Sequence, residues 1–183
     1  MSRTEIRLTG FGGQGIILSG FIIGKAAAIH DKKQATFTES YGPESRGGAC
    51  SAQVIISDEP VSYPHLTDPS ILVVMSQEAY NKYAPDLREG AVLIIDEDLV
   101  ETGEIADGVE MLPVPATRLA EEMGRKIVAN IVMLGFFAAV TDVVSVEALR
   151  EAVRTSVPKG TEELNLKAFQ TGYEYGSAIS QCQ

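Results

Sequence analysis

Leu8-Thr9-Gly10-Phe11-Gly12-Gly13-Gln14-Gly15-Ile16-Ile17, LTGFGGQGII, decides how the rest of the chain is read. The apolar segment Ile6–Gly10 has the length and bounds of a strand, and an apolar run after Gly15 suits a buried helix. Strand, glycine turn and helix in that order open an α/β unit. Gly10, Gly12 and Gly15 also spell G-x-G-x-x-G, the spacing that brings backbone close to a pyrophosphate at a helix N-terminus. The same glycines would serve any tight strand-to-helix turn, because glycine adopts positive φ at little cost. Two readings stand here: an anion or cofactor cradle, and a turn needed only for packing. Glu39, ending the next candidate strand, lies where a ribose-binding carboxylate would sit, so a free-standing NAD-dependent oxidoreductase is one alternative.

Working outward, strands are expected at Ile6–Gly10, Gln34–Thr38, Cys50–Ser57, Ile71–Met75, Ala91–Asp96 and Val109–Val114. Several are apolar on both faces, which calls for a sheet covered on both sides. Helices are expected at Gly15–His30, at Gln77–Arg88 around Pro85, and from Thr117 to Val140 with a break near Gly124. Two more follow: Val146–Thr155, capped by Ser145 and stopped by Pro158-Lys159-Gly160, and Thr161–Ser180. The fold class is α/β, a three-layer sandwich with a mostly parallel or mixed central sheet and a helical C-terminal third. Residues 1–183 read as a single domain. Gly20 and Gly24, spaced G-x-x-x-G, fit close packing of the first helix on the sheet.

The balance of 45% hydrophobic and 22% charged residues is that of a globular protein. A net charge of −10 without a basic run argues against nucleic acid. The apolar run Ile16–Ile29 is shorter than the roughly 20 residues that span a bilayer, and Lys25 interrupts it, so no membrane association is expected. No signal-peptide pattern follows Met1, which points to a cytoplasmic protein. Cys50 and Cys182 are too few for an iron–sulfur cluster or a structural zinc site, and Cys50 reads as a packing cysteine. His30 and His65 are far apart in unrelated contexts, and neither a G-x-S-x-G elbow nor a P-loop is present. No metal site is expected. Asp96, ending an apolar strand, reads as a plain strand-end carboxylate in preference to a ligand contact.

A second shaped loop follows the second strand. In Thr38-Glu39-Ser40-Tyr41-Gly42-Pro43-Glu44-Ser45-Arg46-Gly47-Gly48, Pro43 restricts Gly42, and Gly47-Gly48 permits another unusual turn. Arg46 could hold a phosphate or carboxylate by two prongs, and Ser40, Tyr41, Glu44 and Ser45 surround it. The bland alternative is a solvated loop with an internal Glu44–Arg46 contact. Asn130, on a strongly apolar helix, must either bond a loop or line a site.

GFGGQGI, then ESYGPESRGG, then NIVMLG at Asn130–Gly135 and LNLKAFQTGY at Leu164–Tyr173 resemble, in order and spacing, the gamma subunit of 2-oxoacid:ferredoxin oxidoreductases, the pyruvate and 2-oxoglutarate enzymes. The resemblance covers nearly the whole chain. It implies an enzyme that converts a 2-oxoacid and CoA to acyl-CoA and CO2 and reduces ferredoxin. It also implies alpha, beta and delta partner subunits, with thiamine diphosphate and Mg between alpha and beta and 4Fe-4S clusters on beta and delta. This chain would be non-catalytic, binding no cofactor alone, and could self-associate when isolated. Its nearest approach to a thiamine motif is Ala106-Asp107-Gly108, without a downstream Asn partner. The expected binding set, toward CoA at a shared interface, is Gly10, Gly12, Gly13, Gln14, Gly15, Ser40, Tyr41, Glu44, Ser45, Arg46, Gly47, Gly48 and Asn130. A purely structural assembly module is the remaining alternative. The residues do not name the 2-oxoacid.

Overall fold

The computed structural model describes residues 3–41, 49–61 and 63–181. Its strands are β1 (Arg3–Phe11), β2 (Gln34–Tyr41), β3 (Ala49–Ser57), β4 (Ile71–Val74), β5 (Val92–Asp96) and β6 (Glu110–Val114). They form one six-stranded sheet in the order β2-β3-β1-β4-β5-β6. β4, β5 and β6 continue parallel from β1, whereas β3 is antiparallel to both β1 and β2. The sheet is therefore mixed. All six expected strands are present, and β1 and β2 run longer than their apolar cores because β3 pairs with them along its whole length. Arg3 sits opposite Ser57, and Tyr41 opposite Cys50.

The helices are α1 (Ile16–Lys25), α2 (Gln77–Tyr83), α3 (Ala116–Glu122), α4 (Ala129–Val140), α5 (Val146–Arg154) and α6 (Glu162–Ser180). Strand alternation sorts the core into two layers. Ile6, Leu8, Val54, Val73 and Ile94 face α1 and the C-terminal helices, while Leu72, Val74, Leu93 and Ile95 face α2. This is the expected three-layer α/β arrangement. α4 is buried almost all round, as an apolar helix must be when it lies inside a core. It contacts α6 along its length at very short range: a Cβ on Gly135 would lie 1.9 Å from the Phe169 carbonyl oxygen, and one on Gly172 1.9 Å from that of Val132.

Two helices depart from their expected spans, and the break expected near Gly124 is present. The first helix ends as α-helix at Lys25 and widens into a π-turn over Ala26–His30. α2 stops at Tyr83 because Pro85 cannot continue it, and a 3-10 turn, Ala84–Asp86, follows. The long Thr117–Val140 pattern is two helices. Gly124, at φ 79°, breaks it, and a 3-10 turn over Lys126–Val128 leads into α4. Gly20 does pack α1 on the sheet, since a Cβ there would lie 2.4 Å from that of Ala52, whereas Gly24 has only ordinary contacts.

Candidate functional site

The crossover from β1 through α1 leads toward β2 on one side of the sheet, and that from β4 through α2 leads toward β5 on the other. The strand order thus reverses between β1 and β4, and ligands of open α/β sheets bind at the carboxyl ends of the strands at such a point. The glycine loop emerges there. Its shape is set from within by Gln14. Phe11 N–H donates to Gln14 Oε1 at 2.7 Å, and Gln14 Nε2 donates to the Met75 carbonyl at 2.8 Å. One side chain therefore ties the end of β1 to the end of β4. Gly10 leaves the space it needs, since a Cβ there would lie 2.4 Å from Gln14 Oε1.

Gly13 and Gly15 take positive φ, 94° and 75°, where a side chain would strain the backbone. Gly15 is the N-cap of α1, and its carbonyl accepts from Ser19 N–H at 2.9 Å, from Ser19 Oγ at 3.0 Å and from Asn130 Nδ2 at 3.3 Å. The amide N–H groups ahead of that first helical bond face the loop end, the usual orphan donors of a helix start. Gly12 has open space around it, with nothing within 4 Å of a Cβ. Two cavities flank Gly13. One of about 290 Å³ is mostly apolar, between Gly15, Leu18, Val128, Pro158 and Leu164, with Asn130 and Asn165 on its wall. The other, about 250 Å³, lies against Gln14, Met75, Thr117 and Lys126. Ile127 lines both and is 78% exposed, an unusual position for a large apolar side chain.

Of the two alternatives for Asn130, the bond to a loop is present, through Gly15, and the residue also lines a cavity. Ser40 and Tyr41 end β2 at the same edge of the sheet as the glycine loop, and both are exposed. Glu44, Ser45, Arg46, Gly47 and Gly48 lie outside the described residues. Glu39 corrects the nicotinamide reading. In a dinucleotide fold the second strand lies directly beside the first, whereas here β3 intervenes, placing Glu39 two strand spacings, about 10 Å, from β1. Asp96 is fully buried, accepting from Thr117 N–H at 3.1 Å, Thr117 Oγ1 at 2.7 Å and Asp98 N–H at 3.2 Å, so it caps the start of α3. Burial raises its pKa against the pull of these donors. Cys50 is buried within β3, and burial raises its thiol pKa too, consistent with packing. Lys126 and Ile127, which were not among the expected residues, line the cavities beside Gly13. The signal was the GRKI stretch after the helix break at Gly124.

The Ala106-Asp107-Gly108 turn lacks the open backbone that a diphosphate would need. Gly108 of Ala106-Asp107-Gly108 sits at φ 78° in a turn with the Glu89 side chain against it, where a Cβ would lie 2.5 Å from Glu89 Cγ. Among the described residues, no group of three His, Cys, Asp or Glu side chains could hold a metal ion, and no helix is long and apolar enough to cross a membrane.

A model of the pyruvate ferredoxin/flavodoxin oxidoreductase family matches residues 5–175. The chain belongs to this family. Within it, the chain is 56% identical over 179 residues to the 2-oxoglutarate synthase subunit KorC of Methanocaldococcus jannaschii, covering 97% of this chain and 96% of that one. The KorC subunit of Methanothermobacter marburgensis is 53% identical over 178 residues, covering 94% of this chain and 96% of that one. A solved gamma subunit of keto/oxoacid ferredoxin oxidoreductase from Geobacter sulfurreducens superposes with a TM-score of 0.86 at 47% identity, covering 97% of this chain and 98% of that one. The 2-oxoglutarate:ferredoxin oxidoreductase of Magnetococcus marinus, solved with 2-oxoglutarate, coenzyme A and succinyl-CoA bound, matches at a TM-score of 0.89 and 27% identity. It covers 97% of this chain and 32% of that one. The gamma-subunit resemblance carried by the four motifs is the right one, and its relatives are subunits of multi-subunit 2-oxoacid:ferredoxin oxidoreductases.

Proposed function

We propose that this chain is the gamma-type subunit of a 2-oxoglutarate:ferredoxin oxidoreductase, and that its glycine loop holds the phosphate end of coenzyme A. The assembled enzyme would turn 2-oxoglutarate and CoA into succinyl-CoA and CO2, passing two electrons to ferredoxin. The identity of 56% with KorC along nearly the full length carries the choice of acid. The carbon–carbon cleavage and the electron relay belong to partner subunits that bind thiamine diphosphate and iron–sulfur clusters.

This chain's own contribution is binding. The α1 N-terminus and the N–H groups of Gly12, Gly13 and Gly15 form a nest for phosphate oxygens. Lys126 at the cavity wall supplies a cation, and Arg46 adds a second in the same reading. The apolar cleft beside Leu18 and Leu164 has the character to accept the pantetheine arm. Exposed Ile127 at the mouth of both cavities is a natural contact for a catalytic subunit, so the coenzyme would lie at a shared boundary.

Co-expression with alpha and beta partners, followed by an assay of 2-oxoglutarate- and CoA-dependent ferredoxin reduction, tests this directly. Gly12→Ala is the informative variant, because its Cβ has nothing to clash with inside the chain. The KM for CoA should rise about tenfold, equivalent to about 1.4 kcal/mol of binding, with subunit assembly unchanged. An unchanged KM in a fully assembled enzyme would reassign the loop to protein contacts alone, the structural-module alternative.

A further inference from the structure

On the α2 side of the sheet, well away from the glycine loop, lies a polar cavity of about 330 Å³ lined by Arg7, Thr67, Asp68, Tyr83, Asp86 and Arg88. Arg7 projects from the middle of β1 opposite Leu72 of β4. Its guanidinium lies over the Tyr83 ring, with Cζ 4.8 Å from the ring centroid. Its Nε is shielded from solvent and has no hydrogen-bond partner. A guanidinium presents five N–H donors in a rigid plane and loses solvation when buried, so an Arg held in place yet unpaired is a site awaiting an acceptor. The Tyr83 ring restrains the group on one side, and a guanidinium so held can make a two-pronged contact with an acceptor that enters the cavity.

The charges around it define the acceptor. Arg88 is already paired with Asp68 at 3.1 Å, and Asp86 shares the cavity wall, so two cations face two anions in the lining, with the Lys82 ammonium 5.0 Å from the Tyr83 ring as a further positive charge. A dianion such as phosphate would meet Asp86 at close quarters, whereas a carboxylate adds one charge, matches the planar fork and stacks with it over Tyr83. The volume is that of a small-molecule pocket. We propose that Arg7 and Tyr83 form a carboxylate-binding site, separate from the coenzyme loop and independent of its assignment. The carboxylate comes either from a free small acid or from an acidic side chain of another subunit of the enzyme.

Side-chain ¹⁵N–¹H spectra of the full chain, with the Arg7 Nε–H signal assigned through Arg7→Lys, distinguish the two sources. For a free acid, acetate, a monoanion, shifts that signal saturably, inorganic phosphate at equal concentration does not, and Arg7→Gln weakens acetate binding at least tenfold. For a subunit side chain, acetate leaves the signal in place, and Arg7→Gln weakens association with the partner subunits at least tenfold. In both cases the isolated Arg7→Gln chain melts no lower than the native one, because removing a buried N–H without an acceptor offsets the lost Tyr83 contact. Arg7→Lys, which keeps the charge without the fork, gives an intermediate effect and serves if Arg7→Gln fails to fold. The proposal is overturned if phosphate competes equally with acetate. It is also overturned if neither acetate nor assembly responds to Arg7→Gln, or if that variant only destabilises the chain.

Discussion

Gly172→Ala is the sharpest test of the packing described above. In the native structure the new Cβ would sit 1.9 Å from the Val132 carbonyl oxygen and 3.0 Å from the Phe136 nitrogen. A relaxed carbon–oxygen contact is about 3.3 Å, so α4 and α6 must separate locally by about 1.4 Å. No rotamer change relieves this, because the obstructing atoms are backbone. Overpacking of this kind costs typically 1–3 kcal/mol, and a backbone clash belongs at the upper end of that range. Alanine returns about 1 kcal/mol through its better helix propensity. The net loss is about 2 kcal/mol, which for a chain of this size lowers Tm by about 4–8 °C. Calorimetry or urea titration of the purified chain reads it directly. Gly103→Ala is the control, since no atom lies within 4 Å of its Cβ and its φ is not positive. If Gly172→Ala melts within about 1 °C of the native chain, the close helix approach is wrong.

Two further outcomes follow from named contacts. Gly15→Ala suffers both the positive φ and a clash with Asn130 Nδ2, 2.4 Å from the added Cβ. Asn130→Ala should therefore relieve part of its cost, and a double-mutant cycle by urea melts should give a coupling of about 1 kcal/mol, where simple additivity would contradict the contact. Glu5 is buried at the start of β1; burial alone would raise its pKa, but Asp68 N–H, Arg3 and Thr67 N–H together hold it below the ordinary value. A carboxyl depressed on folding stabilises the chain above its unfolded pKa and loses that contribution as pH falls through the folded value. Glu5→Gln should accordingly cost about 2 kcal/mol at neutral pH, with the difference from native shrinking below about pH 4. A cost that stays constant down to about pH 3 would show that the charge is not what matters.

Much of the fold was legible because β1, β4 and β5 are short apolar runs and the break at Gly124 is chemically explicit, whereas the expected Gln77–Arg88 helix ran through a proline that in fact ends it. Strand order was not. Nothing in the β2 or β3 residues announces that β3 inserts between β1 and β2, and that insertion is what separates Glu39 from the glycine loop. At the candidate site, the tight glycine turn and the bond from Asn130 to a loop were readable. Ile127 and Lys126 were hidden, because their place at the two cavities comes from the 3-10 turn over Lys126–Val128 and not from their own spacing. NIVMLG and LNLKAFQTGY carried the resemblance, and their physical meaning emerges only in three dimensions. Gly135 and Gly172 are the two halves of one helix contact, while Asn130 and Asn165 from the same segments meet at one cavity wall.

The Gln14 bridge between β1 and β4 has a consequence for how a ligand arrives. A loop whose turn is closed by its own amide holds its shape before anything binds, so little ordering entropy remains to be lost on capture. Association should then follow a single concentration-dependent phase with no slow isomerisation behind it. Gln14→Glu, nearly isosteric, keeps the acceptor for Phe11 but turns the donor toward Met75 into a second acceptor, so it would convert a rigid mould into a mobile flap and make that slow phase visible.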